Sequence, residues 1–179
     1  MEKKLFINEI CEQSIKKISE GDLSALTVVY DCVGKLLFSI AFSILNDYQL
    51  SEDVMHDTFL KIAEQAKMYR RNSNAKAWIA SICRNAALNT LKKRKYEAPS
   101  SGDTIEADIN LSLDNEINTF ELFDILTVLS LQEREIVIFK VLWRFSHDQI
   151  AKLMNLSTAN TRQKYKRALD KLRNIYKEE

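Results

Sequence analysis

A group of basic and amide side chains near the C-terminus recurs at helical spacing, and its chemistry suits contact with nucleic acid. One side of a helix that begins after Ser157 would carry Ala159, Arg162, Gln163, Lys166 and Arg167. Arginine and glutamine can pair with the edges of guanine and adenine in a major groove, and lysine can neutralise phosphate. A solvated helix surface has a similar composition, so this face alone leaves both interpretations open.

The residues before and within that helix predict how it is held. Ser146 can cap a short helix, Asn155 lies where the chain must turn sharply, and Ser157 can cap the helix that follows. The inward side of the second helix is predicted to contain Thr161, Tyr165, Ala168, Leu169 and Leu172. A short helix, a tight turn and a second helix have helix-turn-helix spacing, which favours DNA binding over a merely solvated face.

A second set of polar side chains begins at Ser51. This residue is predicted to cap a helix, with Glu52 and Asp53 in a first turn where the helix dipole favours acids. The buried side of this helix would consist of Val54, Thr58, Phe59, Ile62 and Ala66. The outer side would present Asp53, His56, Asp57 and Lys61. This charged and largely acidic side suits a protein partner.

A polar, basic connection over residues 68–76 leads into a helix that begins near Trp78. The predicted core side of this helix contains Trp78, Ile79, Ile82, Cys83 and Ala86. The predicted exposed side contains Ser81, Arg84, Asn85, Lys92 and Lys95. In the connection, Tyr69 is followed by Arg70, Arg71, Asn72 and Asn74. An aromatic ring in this setting could stack an unpaired base or be a half-buried loop tyrosine, and both interpretations stay open.

The overall composition favours helices. The chain has 179 residues, of which 46% are apolar and 28% charged, but only 3 glycines and 1 proline. So few glycines and prolines disfavour a sheet-and-turn architecture. Besides the helices above, helical spacing is predicted over residues 1–20, 120–129 and 131–141, and in an apolar stripe from Leu23 to Ile44 that Asp22 can cap. We therefore predict an all-α protein.

Charge is segregated along the chain, although the net charge is only +1. No Lys or Arg occurs from residue 96 to residue 133, and basic clusters flank this stretch. We predict two small helical domains, at residues 1–96 and 119–179, joined by an acidic linker at residues 97–118. Two basic ends separated by an acidic spacer indicate two contacts with one polyanion.

Several function classes lack their signatures in this sequence. Cys11, Cys32 and Cys83 form no CxxC pair and no Cys/His cluster, so neither a disulfide framework nor a zinc site is expected. His56 and His147 are predicted to be surface residues without partners at catalytic or metal-binding spacing. The sequence contains no Gly-rich phosphate loop and no G-x-S-x-G motif. We expect neither an enzyme nor a cofactor.

The apolar run near the N-terminus covers only residues 5–7. It is too short for the core of a signal peptide or for a membrane span. We therefore expect a cytoplasmic protein without membrane insertion.

The N-terminal motifs resemble those of RNA polymerase sigma factors of the extracytoplasmic-function (ECF) class, in the sigma-70 family. Residues 51–60 (SEDVMHDTFL) resemble the family's "AED-hydrophobic-x-Q-[ED]-x-F-hydrophobic" signature, with Ser51 in place of Ala and His56 in place of Gln. Residues 77–85 (AWIASICRN) resemble "WL-x-x-IARN", and residues 91–95 resemble the basic tail that follows it.

The C-terminal motifs resemble region four of the same family. Residues 145–151 (FSHDQIA) and 160–168 (NTRQKYKRA) carry this similarity. Departures from the usual pattern are Ser130 for Pro, Arg144 for Gly, Gln149 for Glu and Thr161 for Val. The order of the motifs, their separation and the acidic linker also match, and the resemblance extends over residues 21–176.

The resemblance implies a transcription initiation factor that binds core RNA polymerase and directs it to specific promoters. The residues that would dock on the clamp helices of the polymerase β′ subunit are Asp53, His56, Asp57 and Phe59. The polymerase β flap would be a second contact. An anti-sigma factor is a further partner class that the resemblance allows.

The resemblance also implies two contacts with promoter DNA. The −10 element, bound with strand opening and capture of an unpaired base, would contact Tyr69, Asn74, Lys76, Ser81, Arg84, Asn85, Lys92 and Lys95. The −35 element, read as duplex, would contact Ser157, Thr158, Ala159, Asn160, Arg162, Gln163, Lys166 and Arg167.

Two rival interpretations remain at this point. An ordinary dimeric helix-turn-helix regulator would explain residues 146–173 but would leave the acidic helix after Ser51 without a role. A sigma-like adaptor that only occupies polymerase would explain the acidic helix, but it would not need base-contacting side chains such as Asn85 and Arg162.

Overall fold

The computed structural model describes residues 2–70, 73–97 and 119–175 of the chain. Within these residues the chain is helical and has no strand, which confirms the all-α prediction. The helices are α1 (Glu2–Ser19), α2 (Ala25–Leu45), α3 (Tyr48–Gln65), α4 (Ala75–Glu97), α5 (Thr119–Leu126), α6 (Leu131–Val141), α7 (His147–Met154) and α8 (Thr158–Ile175). A single 3₁₀ turn, Ala66–Met68, follows α3. Arg71, Asn72 and all but the first residue of the predicted acidic linker lie outside the described residues.

The chain divides into two compact units, residues 1–99 and residues 100–179. The first unit contains α1 to α4, and the second contains α5 to α8. Two helical units are the architecture that the charge pattern predicted. The exact domain boundaries at residues 96 and 119 stay predictions.

The central helix of the N-terminal unit is α2, which packs against α1, α3 and α4. Its buried side chains include Val29, Val33, Leu37, Ile40 and Ala41. Burying a Val, Leu or Ile side chain contributes roughly 1.5–3 kcal/mol. By length and composition α2 could also cross a membrane, but 61% of its most apolar window is buried inside the protein, as in a core helix. Leu23 and Tyr30, predicted on the same stripe, are exposed. Leu23 lies before the helix begins, and Tyr30 contacts the half-buried Phe59 ring.

The N-terminal cap of α3 differs from the prediction. The helix begins at Tyr48, and the carboxylate of Asp47 accepts the Leu50 N–H at 3.0 Å. Ser51 is therefore already inside the first turn, fully buried, and its hydroxyl donates to the Asp47 carbonyl. The prediction of Ser51 as the cap was wrong because an aspartate with extended backbone lies one turn earlier. Asn46, with φ of 48°, ends α2 and makes the sharp corner before it.

An aromatic cluster fills the core of the C-terminal unit. Phe139, Trp143 and Phe145 are all buried, and their ring centroids lie 5.5–6.5 Å apart. Such distances allow tilted and edge-on contacts between aromatic rings, which add to the free energy of burial. The cluster anchors the end of α6 and the connection that leads into α7.

An ion pair joins the start of α6 to α8. The Glu133 carboxylate accepts from the Lys171 ammonium at 2.8 Å and also completes a capping box with Ser130. Burial acts to raise the pKa of Glu133, but the hydrogen bonds from Lys171 and Ser130 outweigh it and hold that pKa below its usual value. The Glu133 carboxylate is thus charged at neutral pH, and its ion pair holds the C-terminal end of α8 against α6.

The caps predicted around α7 and α8 are confirmed. The Ser146 hydroxyl accepts the Gln149 N–H at 3.2 Å, and the Gln149 side chain accepts the Ser146 N–H at 2.8 Å. Asn155 ends α7 with φ of 54°. The Ser157 hydroxyl accepts the Asn160 N–H at 3.1 Å at the start of α8. Helix, tight turn and helix therefore follow the predicted order and spacing.

Arg144 occupies a backbone position that favours glycine. It has φ of 53°, and a left-handed backbone costs an L-residue roughly 1–2 kcal/mol. We predict that Arg144→Gly raises the free energy of unfolding of the C-terminal unit by about 0.5–1 kcal/mol, the remainder being offset by the greater entropy of glycine in the unfolded chain. Urea denaturation followed by Trp143 fluorescence, in a Trp78→Phe background, measures this.

The matched control is Arg144→Ala, which removes the same side chain but keeps the backbone strain. An equal gain from alanine would show that the side chain, and not the backbone, causes the effect.

Candidate nucleic-acid interface

The outer face of α8 is exposed, as its periodicity predicts. The exposed side chains are Ala159, Arg162, Gln163, Lys166 and Arg167. On the opposite side Thr161 and Ala168 are fully buried. The first acidic residue of the helix is Asp170, so three turns present only basic, amide and small groups to solvent. This face can donate several hydrogen bonds to an acceptor-rich, negatively charged surface.

Hydrogen bonds at the start of α8 hold that face in place. The Thr158 hydroxyl donates to the Asp148 carboxylate of α7 at 2.7 Å, and the Thr161 hydroxyl donates to the Ser157 carbonyl at 3.0 Å. The Thr158 hydroxyl therefore donates its hydrogen bond within the protein. The Asp148–Thr158 bond was not anticipated, because only the geometry of the turn brings residues ten positions apart together.

His147 is half-buried, which corrects the prediction of a surface residue. It is the first residue of α7, and its ring centroid lies 5.4 Å from that of Tyr165 on α8. Burial lowers the pKa of His147, and the nearby positive charges of Lys140 and Arg162 lower it further, against the opposing effect of Asp148. The imidazole is therefore neutral at pH 7 and packs as an uncharged ring beneath the exposed face.

The outer face of α3 carries the predicted charges. Asp53, His56 and Asp57 are exposed. Phe59 is half-buried, and its ring centroid lies 5.4 Å from that of Tyr30 on α2. An acidic row thus runs beside a partly exposed aromatic pair, an arrangement that can combine charge attraction with burial of apolar area.

Tyr69 is half-buried at the start of the connection to α4. Its ring centroid lies 5.2 Å from that of Trp78, and its hydroxyl donates to the Ser73 carbonyl at 2.9 Å. Burial raises the pKa of this phenol. The ring is therefore held against a second aromatic ring, and base stacking at Tyr69 stays a prediction.

Two residues of the predicted −10 set have structural roles at the start of α4. The Asn74 side chain accepts the Ala77 N–H at 3.0 Å and so caps the helix. Lys76 is only 5% exposed and lies under α1. This burial corrects the prediction of Lys76 as a DNA contact. Lys76 was predicted in the connection before a helix near Trp78, but α4 already begins at Ala75 and α1 packs against it.

The remaining residues of this set follow α4 outward from the core. Ser81 is half-buried and donates to the Trp78 carbonyl at 2.7 Å, and Arg84 is half-buried. Asn85 and Lys92 are exposed. The side chain of Lys95 lies outside the described residues. The polar strip of α4 is thus accessible mainly in its middle and second half.

A polar groove of about 400 Å³ runs between α3 and α4. It is lined by Asp57, Lys61, Ala86, Asn89, Thr90, Lys92, Lys93 and Tyr96. It places the exposed Asp57 of the acidic face next to the basic end of α4. The spacing of Ala86, Asn89, Thr90 and Lys93, at i, i+3, i+4 and i+7, is the sequence signal for this face, and the prediction missed it.

Chemistry based on metals or thiols has little support in the described part of the chain. No group of three or more His, Cys, Asp or Glu residues there could hold a metal ion. Burial raises the pKa of both the Cys11 and the Cys83 thiol to about 12, so these thiols stay protonated and unreactive.

Family models match both units. Sigma-70 region 2 matches residues 29–96, and Sigma-70, region 4 matches residues 119–172. The chain belongs to the ECF class of the sigma-70 family. The sigma factor therefore functions in transcription initiation, with RNA polymerase and promoter DNA as its partners.

Relatives of similar length support this assignment. The ECF RNA polymerase sigma factor SigM of Bacillus subtilis (strain 168) is 24% identical over 152 residues, which cover 83% of this chain and 93% of SigM. The ECF RNA polymerase sigma factor SigX of the same strain is 20% identical over 156 residues, which cover 82% of this chain and 80% of SigX.

Solved structures show the same fold. The sigma factor RpoE from Bartonella quintana, in complex with the anti-sigma factor NepR, has a TM-score of 0.73 and 25% identity, covering 83% of this chain and 94% of RpoE. CnrH, in complex with the cytosolic domain of CnrY, has a TM-score of 0.71 and 16% identity, covering 95% of this chain and 99% of CnrH.

The neutral His147 predicts how the C-terminal unit of the sigma factor responds to acid. Its folded pKa lies below the unfolded value of about 6.5. The unfolded state therefore takes up more protons as pH falls through that value, and stability decreases. We expect the free energy of unfolding, followed by Trp143 fluorescence in the Trp78→Phe background, to fall between pH 7 and pH 5.

His147→Gln should flatten this decrease. The pKa of Glu133 lies below its usual value of 4.5, so this carboxylate stays charged over the same pH range. A decrease of equal size in His147→Gln would assign it to another group.

Proposed function

We propose that this sigma factor binds core RNA polymerase and directs it to promoters by reading the −35 element as duplex and the −10 element with strand opening. The observation that carries the proposal is the exposed basic and amide face of α8, held by a capped helix-turn-helix. In this role the protein acts in the cytoplasm, where core polymerase and the promoter are found.

For the −35 element, α8 is the helix that would enter the major groove. B-DNA admits one α-helix there, and the residues near the helix N-terminus approach the base edges. Ser157, Thr158, Ala159 and Asn160 occupy that end. Arg162 and Gln163 follow with side chains that can pair bidentately with guanine and adenine, and Lys166 and Arg167 can reach phosphate.

For the −10 element, the support is the polar strip of α4 and the aromatic pair beside it. Asn85 and Lys92 are exposed on that strip, and Arg84 is half-buried. Tyr69 lies at the start of the connection, with its ring against Trp78. Unstacking a base costs a few kcal/mol, and a fitted pocket can offset this cost without any catalytic residue.

For polymerase, we assign the acidic face of α3, namely Asp53, His56, Asp57 and Phe59, to the clamp helices of the β′ subunit. The exposed acids would steer the encounter and the aromatic pair would supply apolar contact area. We assign the β flap to the C-terminal unit. Because the relative RpoE was solved with an anti-sigma factor, we also propose such a factor as a partner class.

Transcription in a purified system tests the proposal. The sigma factor is mixed with sigma-free core polymerase and a promoter library, and transcripts are scored. We expect transcripts from a defined promoter subset. A helix-turn-helix regulator would give none without a housekeeping sigma factor, and an adaptor that only occupies polymerase would give none in either case.

Substitution of Arg162 tests the −35 assignment. We expect Arg162→Ala to cost about 1–3 kcal/mol at one or two −35 positions, because a bidentate base contact discriminates by that amount. The measurement is the affinity of the full-length variant for a panel of −35 duplexes, each with one base pair changed. Arg173→Ala removes the same charge three turns further along α8 and serves as the control. A uniform loss over all duplexes would instead place Arg162 on phosphate.

Substitution of Asp53 tests the polymerase assignment. We expect Asp53→Ala to weaken affinity for core polymerase roughly fivefold, about 1 kcal/mol, while −35 duplex affinity is unchanged. Fluorescence titration of labelled sigma factor with core polymerase measures the first affinity. Glu9→Ala, an exposed acid on α1, is the control. Equal losses in both variants would point to net charge and contradict a specific contact.

A further inference from the structure

The first turn of α4 receives a hydrogen bond from a distant helix. The Asn8 side-chain oxygen on α1 accepts the Lys76 N–H at 3.2 Å, across 68 positions of sequence. Lys76 is the second residue of α4. The first N–H groups of an α-helix have no partner within the helix, so this contact is a cap supplied by tertiary structure.

The same turn also has a local cap. Asn74 accepts the Ala77 N–H with its side chain at 3.0 Å and the Trp78 N–H with its carbonyl at 2.9 Å. Two asparagines, one from the connection and one from α1, thus share the start of α4. The local cap defines where the helix begins, and the cap from α1 defines where that beginning lies against the rest of the unit.

The helix that supplies the second cap is firmly anchored. Cys11, Ser14, Ile15 and Ile18 of α1 are all buried. α1 packs against α2 and α4, and also against the 3₁₀ turn that precedes the connection. Both ends of the connection therefore abut the same helix. α1 precedes the segment that matches Sigma-70 region 2, which begins at residue 29.

A ring contact links the first turn of α4 to the connection, and two hydrogen bonds lie within the connection. The Tyr69 hydroxyl donates to the Ser73 carbonyl at 2.9 Å, and the Ser73 hydroxyl donates to the Arg70 carbonyl at 2.7 Å. The Tyr69 ring contacts Trp78, which is in the first turn of α4. A displacement of that turn would therefore displace the aromatic pair and both ends of the connection together.

We infer that Asn8 is a positioning residue for recognition of the opened −10 strand, acting through its hydrogen bond to the Lys76 N–H. Asn8 does not contact DNA in this scheme. It fixes the position of the first turn of α4 relative to α1, and hence the position of Tyr69. The inference rests on the proposed −10 function of the connection and α4.

Two substitutions at one position separate the hydrogen bond from the rest of the side chain. Asn8→Ala removes the acceptor, and we expect promoter opening to fall about fivefold, equivalent to about 1 kcal/mol for one lost hydrogen bond. Asn8→Asp keeps an acceptor oxygen, and negative charge is favourable at a helix N-terminus, so opening should return to within about twofold of the original protein. Glu9→Ala, at the neighbouring exposed position, is the control and should open promoters normally.

The experiment uses full-length protein with core polymerase and a promoter recovered from the transcription library. Opening is followed by 2-aminopurine fluorescence in the −10 element. Binding of a labelled single strand carrying the non-template −10 sequence is measured in parallel, together with affinity for core polymerase and for −35 duplex. The inference expects promoter opening and single-strand binding to fall in Asn8→Ala, while affinity for core polymerase and for −35 duplex stays unchanged. Asn8→Asp should restore opening and single-strand binding. It is overturned if Asn8→Ala opens the promoter normally, if core affinity falls as much as opening, or if aspartate fails to restore opening.

Tyr69→Ala and Asn85→Ala, measured beside these variants, separate this inference from the function on which it rests. If they lose opening while Asn8→Ala keeps it, the positioning role is wrong and the −10 assignment stands. If all three open normally, the −10 assignment itself is wrong.

Discussion

The backbone N–H groups at helix starts are the constraint on which the functional surfaces of this sigma factor depend. These groups have no partner within their own helix and must find one elsewhere. Here each surface-bearing helix has a specific polar side chain at its start: Asp47 for α3, Asn74 and Asn8 for α4, and Ser157 for α8. A cap defines the first residue of a helix and therefore its rotation, and rotation decides which side chains face outward. The orientation of the acidic face of α3, the polar strip of α4 and the basic face of α8 therefore depends on these bonds.

The faces of α8 could be predicted from sequence because the helix is long, its caps are local and its inner side packs within one unit. Thr161 and Ala168 were predicted inward, Arg162 and Lys166 outward, and burial agrees. Lys76 was predicted in the connection before a helix near Trp78, because the local sequence contains no information about α1, which covers the first turn of α4. Half-burial of His147 depends in the same way on Tyr165, a residue of another helix. The inner and outer faces of a single helix were predictable from sequence. The burial of a residue by a second helix was not.

The two units differ in which elements present their polar groups. In the C-terminal unit, the polar groups lie on the basic and amide-rich outer face of one helix, α8. The unit is stabilised by the capping boxes, the Glu133–Lys171 ion pair and the aromatic cluster around Trp143. In the N-terminal unit, the polar groups come from α3, α4 and a connection braced by its own side chains. A uniform face on one helix suits a regular duplex, whereas groups drawn from several elements suit a strand whose bases leave the stack.

Asp47 serves two helices with one carboxylate. One oxygen accepts the Leu50 N–H and caps α3, and the other lies 3.3 Å from the guanidinium of Arg94 near the end of α4. Asparagine at this position would keep the cap but lose the charge, and glutamate would keep the charge but suit the cap poorly. Aspartate alone among the twenty residues combines both properties at this reach. Position 47 therefore links the start of α3 to the end of α4, although it belongs to neither the acidic face nor the polar strip.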